Sequence, residues 1–335
     1  MTTVGIPQAL LYYQCYPMWR TFFKEMGAEV VISPPTTQTI LLDGSSRVVA
    51  DTCLPVKVFL GHVLHLSTQC DCIFIPAVRS IKHKVYNCSK FLGLPDMTKA
   101  VLPEVPPILD IDIDANKGKG SLYKTLYRLG KIFTWDPLKI RRAALAAWQT
   151  YLSYQQIMST QGLTPPRAIS QITGATGYKP PMHPENQAGE QVTIAIVGHP
   201  YLLYDEYINH RLIHRLQQTN AKVLTPEMLT EEKMDRSITR LVGHARWTYE
   251  ADVIGAGGHY LQSEADGVIG VMTFGCGPDS LMMNILHRHA TRQRTASFMS
   301  LTIEEHTAEA GLITRLEAFL DMIQRKKRIR IAECV

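Results

Sequence analysis

The sequence predicts an α/β fold built as two doubly wound, mostly parallel sheets that flank a helical segment. Three observations predict it. Short apolar runs of strand length alternate with stretches of helical period. That alternation stops over a long helical and loop-like region and then resumes. The chain, at 335 residues, also exceeds one typical domain. Strands separated by helices imply parallel pairing with right-handed crossovers. The boundaries drawn this way are 1–118 for the first lobe, 119–190 for the helical segment and linker, and 191–335 for the second lobe.

In the first lobe, Val4-Gly5-Ile6 reads as a strand and Tyr12 to Met26 as a helix stopped by Gly27. Glu29 to Ile32 is a second strand, closed by the turn residues Ser33-Pro34-Pro35. Pro55 to Leu66 reads as a helix, and Cys72 to Ile75 and Ile108 to Ile113 as strands. Ser121 to Met158 is strongly helical, with Asp136-Pro137 as a stop and restart signal. Gly162 to Gly189, rich in Gly, Pro, Thr and Asn, reads as a linker or long surface loop. The second lobe offers strands at Val192–Val197, Ala221–Leu224, Val268–Met272 and Ser297–Leu301. Between and after them, helices are expected over Glu206–Gln218, Trp247–Gln262, Pro278–His289 and Ala308–Arg325.

Composition is that of an ordinary globular chain. The net charge is +5, and much of the excess sits in Arg325-Lys326-Lys327-Arg328 and Arg330, which read as a solvated helix end. No basic stripe interleaved with aromatics points to nucleic acid. No signal-like start and no run of 18 apolar residues point to a membrane, so a cytoplasmic protein is expected. Seven cysteines, an odd number scattered over a signal-less chain, argue against a disulfide framework. Cys15, Cys70, Cys72 and Cys334 suit the role of small buried hydrophobes.

The other three cysteines differ. In such sheets ligands bind beyond the carboxyl ends of the strands, and Cys53, Cys88 and Cys276 all fall in loops there. Cys53 stands just before Pro55, so it sits at a helix N-terminus, where thiolate is favoured, with Lys57 about one turn on. Cys88 lies in the polar loop Tyr86-Asn87-Cys88-Ser89-Lys90. Cys276 lies between Gly275 and Gly277 in Thr273–Met282, where glycine lets backbone turn tightly and approach a bound group. The spacings of 35 and 188 residues need the fold to bring the thiols together. Soft thiolates select zinc or an iron–sulfur cluster, and a cluster reached from both lobes suits the wide spacing better than a compact zinc site. Two further strand-end loops are rich in polar groups. Gly198-His199-Pro200-Tyr201 is followed by Asp205, Tyr207 and Asn209, and Glu304-Glu305-His306 follows the last strand. The acids of the latter are read either as helix-start groups or as a fourth ligand or proton donor.

The segments VGIPQALLYYQCYPMWRTFFKEMGAEVVIS, CLPVKVFLGHV, FIPAVRS, CSKFLGLPD, VGHPYLLYDEYIN, FGCGPDS and EEHTAEAGLITRLEAFLDM carry a resemblance. From residue 4 to about 323 the chain resembles the activase-related proteins of the 2-hydroxyacyl-CoA dehydratase and benzoyl-CoA reductase superfamily, relatives of the double-cubane cluster proteins. The resemblance implies two Rossmann-like lobes with an oxygen-sensitive [4Fe–4S] cluster in the cleft between them. It implies Cys53, Cys88 and Cys276 as cluster ligands, with Lys57, Gly275 and Gly277 around the cluster. It also implies an ATP-hydrolysing iron–sulfur activase as electron donor, a CoA thioester or small molecule as substrate, and pairing as a homodimer or heterodimer. His199, Tyr201, Glu304, Glu305 and His306 are the candidates for the substrate side. Two departures stand out. Gln8 occupies a position that carries arginine in the family. A double-cubane [8Fe–9S] cluster needs about six thiolates, which would have to draw on Cys15, Cys70 and Cys72 or a second chain.

The leading expectation is a low-potential reductase or dehydratase component. A non-catalytic electron-transfer or cluster-carrier subunit is the alternative, and a two-lobed binding module with structural cysteines is a third. No phosphate-cradling glycine loop is present in the sequence, so ATP hydrolysis is not expected of this chain.

Overall fold

The computed structural model describes residues 1–174, 191–263, 265–293 and 296–333. The linker expected to end at Gly189, from residue 175 on, lies outside the described residues, as does Cys334. The chain divides into two compact units: Met1–Tyr178 with Ala245–Tyr249, and Lys179–His244 with Glu250–Val335. Both are mixed α/β with parallel sheets.

In chain order the first unit contains β1 (Thr3–Ile6), α1 (Tyr12–Met26), β2 (Glu29–Ile32), α2 (Gln38–Ser45), α3 (Leu54–Leu66), β3 (Cys72–Phe74) and β4 (Ala77–Ser80). It continues with α4 (Ser89–Leu92), α5 (Leu94–Val101), β5 (Ile108–Leu109), β6 (Asp112–Asp114), α6 (Lys119–Gly130), α7 (Pro137–Gln161) and α8 (Pro165–Thr173). The main sheet has the order β2-β1-β3-β5, all parallel. Helix α1 ends where left-handed Gly27, at φ 86°, turns the chain toward β2. Its buried aromatics fill the space over the sheet: Trp19 and Phe23 sit 4.6 and 5.0 Å from Phe74 of β3. The helical segment packs into this unit through α7, where buried Tyr154 donates its hydroxyl to the Tyr13 carbonyl at 2.5 Å. Asp136 caps α7 by accepting the Leu138 and Lys139 amides, and Pro137 opens the helix.

The expected strand Ile108–Ile113 is two short strands. Opposite it, Pro76 lacks an N–H and interrupts the partner run, so β3 and β5 pair in the main sheet while β4 and β6 form a separate two-stranded ladder. Helix α3 lies against α2 backbone to backbone. A Cβ added at Gly44 would fall 1.8 Å from the Lys57 carbonyl oxygen, and one at Gly61 would fall 1.8 Å from that of Ile40. That contact sets where the N-terminus of α3 stands.

The second unit contains β7 (Thr193–Gly198), α9 (Pro200–Leu203), α10 (Leu212–Gln218), β8 (Lys222–Leu224), α11 (Glu231–Val242) and α12 (Ala256–Tyr260). It closes with β9 (Gly267–Thr273), α13 (Gly277–Gln293), β10 (Ser297–Ile303) and α14 (Glu309–Glu333). Its sheet, in the order β10-β9-β7-β8, is also all parallel. Ile194 to Val197 and Val268, Ile269 and Val271 are fully enclosed, as a sheet covered on both faces requires.

Two helical expectations shorten. The helix expected over Glu206–Gln218 begins only at Leu212, because Asp205 accepts the Tyr207 and Ile208 amides and His210 and Arg211 take left-handed backbone. Asn209 completes that turn, donating to the Leu202 and Leu203 carbonyls and accepting the Leu212 amide. The helix expected from Trp247 begins with a wide π-helical turn at Ala251–Gly255, while Arg246 and Thr248, which belong to the first unit, exchange backbone hydrogen bonds with Tyr86 there. No helix among the described residues is long and apolar enough to cross a membrane.

Candidate functional site

Helices that follow strands in parallel sheets start at the carboxyl edge, and α3 runs from that edge back toward β3. Cys53 immediately precedes α3, with Pro55 in the first turn. Cys88 stands in the same relation to α4, and both residues have extended backbone before the helix. The Cys88 loop is held in place by Asn87, whose amide donates to the Arg79 carbonyl at 2.9 Å and whose side chain donates to the Val78 carbonyl at 3.2 Å. The fold thus brings two of the three singled-out thiols close enough for their charges to interact.

The electrostatics of Cys53 reverse the sequence expectation. Burial is the largest influence and pushes the thiol up, while the Val56 backbone N–H pulls it down. The charge of Cys88 raises it further and Lys90 lowers it. A helix N-terminus does act on the sulfur, but removal from water outweighs it. The nearby cation is also not the one expected. Lys57 is buried and its amine donates to the Ala50 carbonyl at 2.9 Å, whereas Lys90, two residues past Cys88, carries the charge felt at Cys53.

The remaining thiols of this unit are placed differently. Cys70 and Cys72 lie beyond the far end of α3, at the amino edge of the sheet, a helix length of about 20 Å from Cys53. Cys70 donates to the Leu66 carbonyl at 3.2 Å, and burial pushes Cys72 up to about 11. Neither can share a cluster with Cys53. Cys15, in the first turn of α1 and half-buried as a residue, has its thiol pushed up to about 12 by burial. Gln8 donates its backbone N–H to Ser33 Oγ at 2.8 Å, so the loop after β1 is tied to the end of β2.

In the second unit the sheet changes direction between β7 and β9: β8 is added on one side of β7 and β9 on the other. Ligand crevices of open α/β sheets form at such a point. His199 follows β7, and Cys276 with Asp279 follows β9. His199 and Tyr201 do meet. Nδ1 of the imidazole makes a short hydrogen bond with the Tyr201 hydroxyl, and both residues are buried. On the other side of the ring, Nε2 lies 2.9 Å from Asp279 Oδ1. The approach is oblique to the ring N–H, so the two groups are in close polar contact without an aligned hydrogen bond. Asp279 is 1% exposed, in the first turn of α13, where the helix dipole favours a carboxylate. The partners assign the tautomer: Nε2–H toward Asp279, with Nδ1 accepting from Tyr201 O–H. Carboxylate, imidazole and hydroxyl in this order can hold and pass one proton.

Asp279 is the residue that sequence reasoning missed. Its place three residues after Cys276, in a Gly-Pro-Asp helix start, reads as ordinary capping and hides its buried side chain. Glu304, Glu305 and His306 occupy a turn before α14. The Glu304 amide and the Thr307 hydroxyl close that turn at 2.8 Å, His306 is exposed, and half-buried Glu305 lies 3.8 Å from it. The acid beside His199 is therefore Asp279. Gly275 needs to be glycine because its φ is 79°; a Cβ at Gly277 would meet no atom within 4 Å, so packing does not require glycine there. A cavity of about 570 Å³ in this unit, lined by Asp266, His287, Ser297 and Lys326, opens at the amino edge, away from these residues.

Asp279→Ala is expected to lower unfolding stability by about 1–3 kcal/mol, since it removes the carboxylate 2.9 Å from the buried Nε2 and leaves that nitrogen facing a void. Asp279→Asn should lower it less. Urea unfolding of the three proteins checks this, and equal midpoints would rule out the pair.

Among the described residues, no group of three or more His, Cys, Asp or Glu side chains converges as a metal site. Cys53 and Cys88 alone fit two ligand positions of a cluster, on the chemistry of two neighbouring thiols at helix starts. No curated protein matches the sequence. Residues 3–229, about two thirds of the chain, match the model of a known family, and that stretch spans Cys53, Cys88, His199 and Tyr201 but ends before Cys276 and Asp279. The chain belongs to the family described as the CoA enzyme activase uncharacterised domain, which ties it to the CoA-enzyme activation system.

Proposed function

We propose that this chain is the cluster-bearing component of such a system. In this reading Cys53, Cys88 and Cys276 hold a [4Fe–4S] cluster that an ATP-hydrolysing activase reduces, serving reduction or radical dehydration of a CoA thioester or other small substrate. The observation that carries the reading is the Cys53–Cys88 pair, two thiols at two helix starts whose charges interact. When bound, the cluster supplies single electrons at low potential. The rest is the work of the chain. Burial keeps Cys53 protonated until a cation is available to replace the proton, which makes loading release protons. Lys90 and the Val56 N–H offset negative charge at the sulfur. In the second unit, Asp279 orients His199, and the imidazole holds or returns the proton of Tyr201 Oη. Gly275 and Gly277 leave the backbone around Cys276 unencumbered. Glu304, Glu305 and His306 are proposed for the substrate side.

A second reading has its own support. His199 and Tyr201 are buried, while Glu304 and His306 face solvent. That arrangement favours an electron-transfer or cluster-carrier subunit without a substrate of its own.

The test is anaerobic reconstitution followed by absorption and EPR spectroscopy of the wild type, Cys53→Ala and Cys88→Ala. The wild type should be brown and give a reduced-cluster signal that either substitution removes. Addition of acyl-CoA thioesters then separates the readings: an altered signal marks a substrate-binding enzyme, and an unaltered one with electron transfer to a partner marks a carrier. Spectra unchanged by either substitution would overturn the ligand assignment.

A further inference from the structure

We propose that the pocket between α11 and the end of α12, in the second unit, binds a terminal diphosphate group, carried by pyrophosphate or by a nucleoside diphosphate. The pocket measures about 290 Å³. Lys233, Arg236 and Arg240 of α11 line it on one side and His259 of α12 on the other, and none of its lining residues is acidic. Buried Ser237 and Ile238 hold α11 to the unit, while Arg236 and Arg240 stand exposed at the mouth.

Helix stability does not account for this grouping. Lys233, Arg236 and Arg240 recur at i, i+3 and i+7 on one face, where like charges repel. Lys233 also stands in the first turn of α11, where the macrodipole disfavours a cation. Arg236 lies 3.7 Å from Glu232 one turn earlier, but both are largely exposed, and such a pair contributes little. A cleft that gathers one sign of charge against local repulsion concentrates counter-ions of the other.

A histidine beside the pocket registers the same crowding. His289 of α13 accepts the side-chain amide of Gln262, a lining residue, with Nε2 at 2.8 Å. Burial, and then the charges of Arg240 and Arg292, hold this histidine below its ordinary range. Arg240 from α11 and Arg292 from α13 therefore act on the group that Gln262 ties to the pocket. His289 stands ten residues after Asp279 on α13, about 15 Å along the helix, so the pocket is a second site in this unit.

The donors select the ligand. Two guanidinium forks and an ammonium match the oxygens of phosphate, and their three charges balance a terminal diphosphate. A single carboxylate would leave most of these donors unmet. Ser237 and Ser263 add hydroxyls, and no apolar side chain and no Phe, Tyr or Trp ring lines the space, so nothing in it would recognise a base or an acyl chain. The volume lies at the small end of ligand sites, which suits the ionic group alone.

Calorimetric titration of the full chain with sodium pyrophosphate, in buffer free of divalent metal, should show one site per chain. Arg236→Gln and Arg240→Gln should each weaken binding about tenfold and together about a hundredfold, with circular dichroism unchanged because both side chains are exposed. Arg325→Gln combined with Arg328→Gln, which removes two exposed cations of α14, should leave the affinity as it was. AMP and citrate should bind at least about tenfold more weakly than pyrophosphate. ADP binding more tightly than pyrophosphate would identify a nucleotide as the carrier, and weaker ADP binding the inorganic ion; either outcome supports the diphosphate site. Absence of binding at about 1 mM pyrophosphate overturns the proposal. So does an affinity that the α11 substitutions leave intact or that the α14 pair lowers equally, and so does AMP or citrate binding as tightly as pyrophosphate. These outcomes do not depend on whether the protein binds a cluster.

Discussion

Gly61→Ala is expected to lower the thermal midpoint by roughly 10 °C or more, and Gly44→Ala by a similar amount, from a loss of about 3 kcal/mol or more. The reason lies in how α2 and α3 touch. The added methyl at residue 61 would sit 1.8 Å from the Ile40 carbonyl oxygen, and that at residue 44 would sit 1.8 Å from the Lys57 carbonyl oxygen. Both obstacles are backbone, so no side-chain rotation relieves them, and the helices must separate. Separation would also open the surroundings of buried Leu60, Val58 and Ile40. Because the start of α3 carries Cys53, a milder variant that still folds should show its damage there, as a loss of whatever Cys53 and Cys88 hold together. Differential scanning calorimetry checks the first effect; unchanged midpoints in both variants would mean that the two helices do not meet through their glycines.

Acidification should unfold the first unit through His62. This histidine is fully buried in α3, with Nδ1 2.8 Å from Ser33 Oγ and Nε2 2.9 Å from Thr36 Oγ1. Burial, with a smaller push from His65, lowers it to about 3. The unfolded histidine takes a proton near its ordinary value of 6.5, while the folded one refuses it until about pH 3. Stability from this group is therefore complete above pH 6.5 and falls as pH drops through the window from 6.5 to 3. The slope is about 1.4 kcal/mol per pH unit for one proton, and the full window sums to several kcal/mol. The urea midpoint of the wild type should fall steeply between pH 7 and pH 4.5, and His62→Asn, although less stable at pH 7, should show a shallower fall. Parallel pH profiles for the two proteins would refute the assignment.

Much of the fold was legible because apolar runs and glycine stops carry local signals. The bounds of α1 and its stop at Gly27 follow from a helical apolar stripe followed by a left-handed position, and β7 and β9 from enclosed Val and Ile runs. Helix α2 did not stand out, since its mixed faces leave little periodicity over eight residues, and α5 and α11 were not read although each carries a helical apolar stripe. The split at Pro76 acts across the sheet on Ile108–Ile113, a tertiary effect that no local reading carries. At the site, the thiols of Cys53 and Cys88 were legible as strand-end loop residues. The dominance of burial over the helix N-terminus at Cys53, and the choice of Lys90 over Lys57, depend on side-chain direction. Asp279 was concealed because a carboxylate in the first turn of a helix has an ordinary explanation, and only the position of His199 gives it another. The need for glycine at 44 and 61 appears only when α2 and α3 are seen to cross.

The central claim is that Cys53 and Cys88 are cluster ligands, and the most direct measurement is the iron and acid-labile sulfide content of strictly anaerobic protein. About four of each per chain are expected in the wild type, as one cubane requires, and close to none in Cys53→Ala and Cys88→Ala. Wild-type protein without iron or sulfide after anaerobic purification and reconstitution would contradict it.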